Sequence, residues 1–169
     1  ITSLQTKEKP RYLQPAYPDG LSSLSVKKGI EDQSSVFIQY TNPLVWDRKE
    51  LLALDYLVEI LNIKLTETVR EEQSKVYNIN AKQTTYKNPK PLCALRIQFG
   101  CAPMFVDSII NSVEKTMLKI ANNGPEKIDY EKVKETKIRH AELSSKKNST
   151  WLAQLESQYS DGFPAESVD

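Results

Sequence analysis

Histidine is nearly absent from this chain: His140 is the only one among 169 residues. A site that needs two histidines is therefore excluded, including the His-Glu-x-x-His zinc helix and its inverted form His-x-x-Glu-His. His140-Ala141-Glu142 matches the His-x-Glu of zinc deaminases, but no Cys-x-x-Cys follows it, so that chemistry is discarded. His140 reads as a surface helix residue. Cysteine is scarce too, with only Cys93 and Cys101. They form no metal knuckle and no disulfide framework, and they read as two free core thiols, with a single bridge as the alternative. Catalysis by either thiol with the distant His140 is disfavoured, because apolar strand surroundings oppose a thiolate. Glycine-rich phosphate loops and a Gly-x-Ser-x-Gly elbow are missing. No apolar run approaches the roughly 18 residues that cross a bilayer. The opening Ile1-Thr2-Ser3-Leu4 is no signal peptide, so the sequence reads as an excised or processed segment. Neither sign of charge dominates: 23 basic against 22 acidic side chains give +1. That balance does not imply a basic groove for nucleic acid. No repeat of 20–50 residues is visible.

What remains is ordinary globular composition, 39% hydrophobic and 27% charged, in a chain of one-domain length. Residues 1–20, with Pro10, Pro15, Pro18 and Asp19-Gly20, read as an extended linker. The domain is expected over 21–163, with a tail at 164–169. Leu24-Ser25-Val26 alternates like a short strand, and the β-branched and aromatic Ser34–Thr41 reads as a second, paired with it through a turn at Gly29–Asp32. Asp47 with Glu50 forms a capping box. After it, Leu51, Leu54, Leu57, Val58, Leu61 and Leu65 recur at helical spacing, which predicts a helix from about 47 to 70. Val76–Ala81 and Leu92–Phe99 alternate on either side of a turn at Lys87–Pro91 and predict an antiparallel hairpin. Pro103 opens a helix whose stripe is Phe105, Ile109, Val113, Met117 and Ile120, and Asn122-Asn123-Gly124 closes it. Residues 129–147 predict a polar helix with Tyr130, Val133 and Ala141 on its thin apolar side. A last helix carries Trp151, Leu152, Leu155 and Tyr159. Hairpins followed by helices predict an α+β fold: an antiparallel β-sheet covered on one face by helices.

One cluster carries chemistry. In Val69-Arg70-Glu71-Glu72-Gln73-Ser74-Lys75-Val76-Tyr77, the arginine sits near a helix end and the phenol just inside the next strand. A short connection would bring both to one rim of the sheet. There they could donate hydrogen bonds to peptide carbonyls or to a developing oxyanion. The structural alternative is that Arg70 complements the helix C-terminal dipole and Tyr77 fills a half-buried strand position.

This Arg-Glu-Glu…Tyr segment resembles the pitrilysin/insulinase family of inverted-motif zinc peptidases, in its C-terminal half. Lys28-Gly29 followed by Gln33–Ile38 is similar to the family's strand pair before the long helix. Ile97-Gln98-Phe99-Gly100-Cys101-Ala102-Pro103 is similar to its strand-to-helix junction. Lys147-Asn148-Ser149-Thr150-Trp151-Leu152, with Leu155 and Tyr159, is similar to the tail of the bacterial PqqL-like branch. Together these cover most of residues 20–163.

The resemblance implies half of a pitrilysin-type α/β sandwich domain, part of a clamshell that encloses a peptide. It implies that Arg70 and Tyr77 hold the scissile peptide and stabilise its oxyanion. No cofactor is implied in this chain; zinc is implied in the parent enzyme, on an N-terminal half that is this chain's partner. By resemblance the parent is a zinc metalloendopeptidase of the bacterial periplasm or cell envelope, and the chain alone, without the zinc motif, is expected to be inactive. A further strand and helix usually open the family domain, so an uncovered sheet edge or patch of core, and with it self-association, is also expected. Gln73-Ser74-Lys75 replaces the leucine-glycine often found between the arginine and the tyrosine. The competing reading is a catalytically silent structural module of the same fold, comparable to the core proteins of the respiratory bc1 complex.

Overall fold

The computed structural model describes residues 20–71 and 76–161, without the side chains of residues 69–71 and 161. The linker assigned to 1–20 lies outside the described residues except for Gly20, as does the tail at 164–169. The chain runs β1 (Ser34–Pro43), α1 (Arg48–Glu71), β2 (Val76–Tyr86), β3 (Leu92–Cys101), a 3₁₀ turn (Pro103–Phe105), α2 (Val106–Asn123), α3 (Lys127–Ser144) and α4 (Asn148–Asp161). The three strands form an antiparallel sheet in the order β1-β3-β2. The expected α+β class, with helices on one face, is what forms.

One expected strand does not. Leu24-Ser25-Val26 has no strand structure, and Leu24 is 91% exposed. Three alternating residues between serines and Lys27-Lys28 offer no apolar face to bury, and β1 takes its partner from β3, far along the sequence. The hairpin expected at Gly29–Asp32 is therefore absent, and β1 reaches the sheet by a crossover through α1.

Strand alternation builds the core. Val36 and Ile38 of β1 lie opposite Phe99 and Ile97 of β3, which lie opposite Ile79 and Ala81 of β2. These residues share the inner face with Leu61 and Leu65 of α1 and Ile109 and Val113 of α2. Ile97, Phe99 and Cys101 are essentially inaccessible to solvent. Burying each of the two larger side chains contributes about 1.5–3 kcal/mol. Helix termini follow local chemistry. The Asp47 carbonyl accepts the Leu51 N–H, the first bond of α1. Gly124, at φ 71°, terminates α2 in a backbone conformation that side chains disfavour.

Helix α1 has two buried stripes where the sequence showed one. Leu61 and Leu65 face the sheet. Tyr56, Ile60 and Lys64, at four-residue steps, face α3. Helix α3 answers with Asp129, Val133 and Lys137, also at four-residue steps. The expected apolar side of α3 is thus corrected: Val133 is buried, Tyr130 is partly exposed against Tyr56 with ring centroids 5.7 Å apart, and Ala141 is exposed. Charges at the two ends of the contact set its register. Lys64 Nζ lies 2.8 Å from Asp129 Oδ2, and Lys137 pairs with Asp55. Asp129 is 1% exposed. Neither of its oxygens meets hydrogen-bond geometry, so the contact acts mainly as a charge pair. Lys64 also reaches Glu126 at 3.0 Å and Glu67 at 3.1 Å. The Asp129 carboxylate, with these two behind it, holds the lysine proton more tightly than usual, and Lys64 in turn depresses the Glu126 carboxyl.

The expected last helix forms as α4, and its Trp151, Leu152, Leu155 and Tyr159 are exposed among the described residues.

Asp129→Asn removes the buried charge but keeps the shape. It is expected to lower stability by about 2–4 kcal/mol, because Lys64 is left without its most buried partner, and urea unfolding measures the loss. The Lys64 pKa is raised, so its contribution is complete below its ordinary 10.5 and is lost only as alkali passes the raised value. The Glu126 contribution is complete above its ordinary 4.5 and fades as acid passes its depressed value.

Candidate functional site

Strand β2 begins with an irregularity that decides where Tyr77 points. Val76 lies opposite Cys101 and Asn78 opposite Gly100, so Tyr77 is an extra residue, a β-bulge. Val76 and Ile79 both pack on the core although they are three positions apart. Strict alternation would turn one of the two outward. The bulge absorbs the mismatch and sends both Tyr77 and Asn78 to the side away from the helices. Tyr77 is accordingly 64% exposed, which corrects its reading as a half-buried strand residue.

On that outer face the chain has a gap at Gly100. A Cβ placed there would lie 3.2 Å from Asn78 Oδ1, 3.7 Å from the Tyr77 ring and 3.9 Å from Gln33 Nε2. The absent side chain thus lets the phenol and two carboxamides converge over the end of β3. Gln33, Asn78 and Gly100 were not singled out by sequence reasoning. The signal was present in the step from Val76 to Ile79, three residues where a regular strand repeats in two.

Among the described residues no helix covers this face. Alternation places Phe37, Gln39, Asn80, Lys82, Arg96 and Gln98 on it, and all are exposed. Arg96 donates to Gln39 Oε1 at 3.0 Å. No aspartate or glutamate lies on any of the three strands. The surface is therefore amide-rich and mildly basic, with a phenol at one end. It is equipped to exchange hydrogen bonds with a peptide main chain.

The backbone of Arg70 lies in the last turn of α1, six residues before β2 begins, and its side chain is outside the described residues. The connection carrying Gln73-Ser74-Lys75 is outside them as well. The α1 terminus and the bulge belong to elements that follow one another in the chain.

Other candidate groups lie elsewhere. His140 is exposed on α3, which packs on α1, so the helix layer and the sheet separate it from Tyr77. Cys93 and Cys101 share one face of β3, eight residues apart, or about 26 Å along an extended strand, well beyond disulfide reach. The disulfide alternative is therefore excluded. Burial raises both thiol pKa values, which favours inert core thiols. Among the described residues no group of three or more His, Cys, Asp or Glu side chains could hold a metal ion.

A family model, the peptidase M16 inactive domain, matches residues 2–137. The fold is similar to the periplasmic protease PqqL from Escherichia coli, with a TM-score of 0.65 and 18% identity over 76% of this chain and 14% of that one. It is similar to the ferredoxin protease FusC, solved in complex with Arabidopsis ferredoxin, with a TM-score of 0.68 and 14% identity over 78% of this chain and 14% of that one. It is also similar to a peptidase M16 inactive domain from Pseudomonas fluorescens, with a TM-score of 0.58 and 16% identity over 80% of this chain and 32% of that one. At these identities the likeness is one of fold. The chain spans about a seventh of the length of the two proteases, 14% of each. No curated protein matches it by sequence.

Gly100→Ala crowds Asn78 Oδ1, the far end of a flexible side chain, and removes a flexible residue from a strand. These effects oppose each other, so the stability change is expected to stay within about 1 kcal/mol. The Tyr77 ring and Asn78 amide NMR signals are expected to shift while those of the helix layer stay in place. Unmoved Tyr77 and Asn78 signals would contradict the convergence over Gly100.

Proposed function

The chain belongs to the peptidase M16 inactive-domain family, and from that premise we propose that it is the substrate-holding, non-zinc-bearing domain of a zinc metallopeptidase. Its bare sheet face would line the space that receives the peptide. Tyr77 would donate its phenolic hydrogen to the scissile carbonyl, and Arg70, from the last turn of α1, would add a second donor and a positive charge. Both interactions strengthen as the carbonyl oxygen becomes an oxyanion, so they favour the transition state over the bound substrate.

The observation that supports this reading most directly is the bulge at Tyr77. It places a large aromatic residue in solvent at the rim of an uncovered sheet, where burial offers no reason for it. Bulges recur beside active sites because they re-aim side chains.

Among the described residues no group of three or more His, Cys, Asp or Glu side chains could hold zinc, and the single histidine lies on α3, in the helix layer. In this proposal the N-terminal half of the same protein holds the metal, which supplies the activated water. This chain's part is to bind the peptide, orient its carbonyl and exclude water. The periplasmic PqqL suggests the bacterial envelope as the compartment. Among the described residues no helix is long and apolar enough to cross a membrane.

The test is peptidase activity of the complete parent protein with Tyr77→Phe. Removing one oxyanion donor is expected to lower kcat by roughly ten- to a thousandfold with KM nearly unchanged and the melting temperature intact. Unchanged kcat would remove Tyr77 from the transition state. A wild-type parent without metal-dependent peptidase activity would favour a silent structural module instead. Arg70→Ala is expected to lower kcat/KM by at least tenfold, with part of the loss in KM.

A further inference from the structure

The charges of this chain are balanced overall and segregated locally. The whole sequence carries +1, yet the stretch from Val76 to Cys101 holds four cations, Lys82, Lys87, Lys90 and Arg96, and no acid. That stretch is the β2–β3 hairpin. Strand β1, on the other side of β3, is uncharged.

Register sets two of these cations against each other. Lys82 of β2 lies directly opposite Arg96 of β3, on the face turned away from the helices, and both are exposed. Like charges placed opposite one another on a sheet cost stability. Among the described residues no ion pair includes either side chain. The third member of the row, Gln39 of β1, gives Arg96 only a neutral acceptor at 3.0 Å. Two cations held together at a cost, on strands without a carboxylate, call for an anion from outside the sheet.

The rows of the face give that anion a position. The Ser35–Gly100–Asn78 row carries the Tyr77 bulge, the Phe37–Gln98–Asn80 row is neutral, and the Gln39–Arg96–Lys82 row follows. Gly100 and Arg96 are four residues apart on β3, about 13 Å, which is also the reach of four residues of an extended peptide.

We propose that this face selects peptides with an acidic side chain about four residues from the scissile bond, seated between Lys82 and Arg96. The proposal rests on the substrate-holding reading above and adds the class of substrate. The carboxylate accepts from the Arg96 guanidinium and the Lys82 ammonium together and removes the repulsion between them. A lysine at that place in the peptide adds a third cation, so selection comes from exclusion as well as attraction.

Matched decapeptides with Glu, Gln or Lys four residues before or after the cleaved bond test it on the complete parent protein. On one side of the bond, kcat/KM is expected to be about tenfold higher for Glu than for Gln and lower still for Lys, mostly through KM. Added salt is expected to shrink the difference. Lys82→Gln with Arg96→Gln is expected to abolish it, and Lys82→Glu with Arg96→Glu to reverse it in favour of Lys. The same change of charge on α3, Lys134→Glu with Arg139→Glu, is expected to leave it in place. Equal rates for the three peptides overturn the proposal, as does a preference that shifts as far with the α3 variant. Removing a repulsive pair is expected to hold or raise the thermal midpoint. A midpoint that falls on Lys82→Gln with Arg96→Gln would show that an acid of the parent itself holds the pair, with the same consequence. Tyr77→Phe separates this proposal from the catalytic reading, because it is expected to lower kcat alike for all three peptides. Equal peptides together with that loss overturn the acidic site alone. A reversible Glu preference with kcat unmoved by Tyr77→Phe overturns the catalytic role alone. In a parent that does not cleave, fluorescence anisotropy of the same labelled peptides reads the preference, and equal affinities overturn it.

Discussion

Strand β3 must be paired on both sides and covered on one face, and the rest of the domain follows from that demand. Its inner residues Leu95, Ile97, Phe99 and Cys101 cannot be left in water, so α1 and α2 close over them. Both neighbouring strands have to present apolar residues at matching heights. Strand β2 can do so only by inserting one residue between Val76 and Ile79. The exposure of Tyr77 is the by-product of that insertion. A packing requirement on one face of the sheet therefore places a polar aromatic residue on the other, a few ångströms from a glycine that leaves room for it.

The helix layer solves a second problem with charge. Helix α3 has little apolar surface, yet it must stay on α1. Two oppositely oriented lysine–carboxylate contacts flank a short apolar centre at Ile60 and Val133 and leave one way for the helices to register. A buried charge is costly unless it is paired. Asp129 thus penalises every register that separates it from Lys64, which gives specificity more than raw stability.

These arrangements divide the molecule by role. One face of the sheet is bound to helices and is committed to stability. The other is bare, amide-rich and free of acidic side chains, and it carries the Tyr77 bulge. At the β2 edge, Asn62 of α1 holds both backbone groups of Ala81. The family whose model matches this chain is termed the peptidase M16 inactive domain.

Much of this was legible in the residues themselves. The long helix, the β2–β3 hairpin, the proline-started α2 and its glycine stop follow from local periodicity and backbone preference, which neighbours in sequence determine. The lack of a two-histidine metal site is likewise a fact of composition. Arg70 and Tyr77 were singled out from their placement and the resemblance, while the meeting of Asn78 and Gln33 over Gly100 was not, because it depends on register between β2 and β3. The Leu24–Val26 strand was misjudged because alternation is necessary for a strand but a partner is what makes one. Ile60 and Asp129 were missed because a second helix covers them, and nothing local announces that α3 returns to α1. Sequence alone settled most of the helices, the β2–β3 hairpin and the lack of a two-histidine site, since those rest on short-range sterics and residue type. Tertiary structure alone decided which charges are buried and where Tyr77 points, since those depend on contacts between residues far apart in the chain.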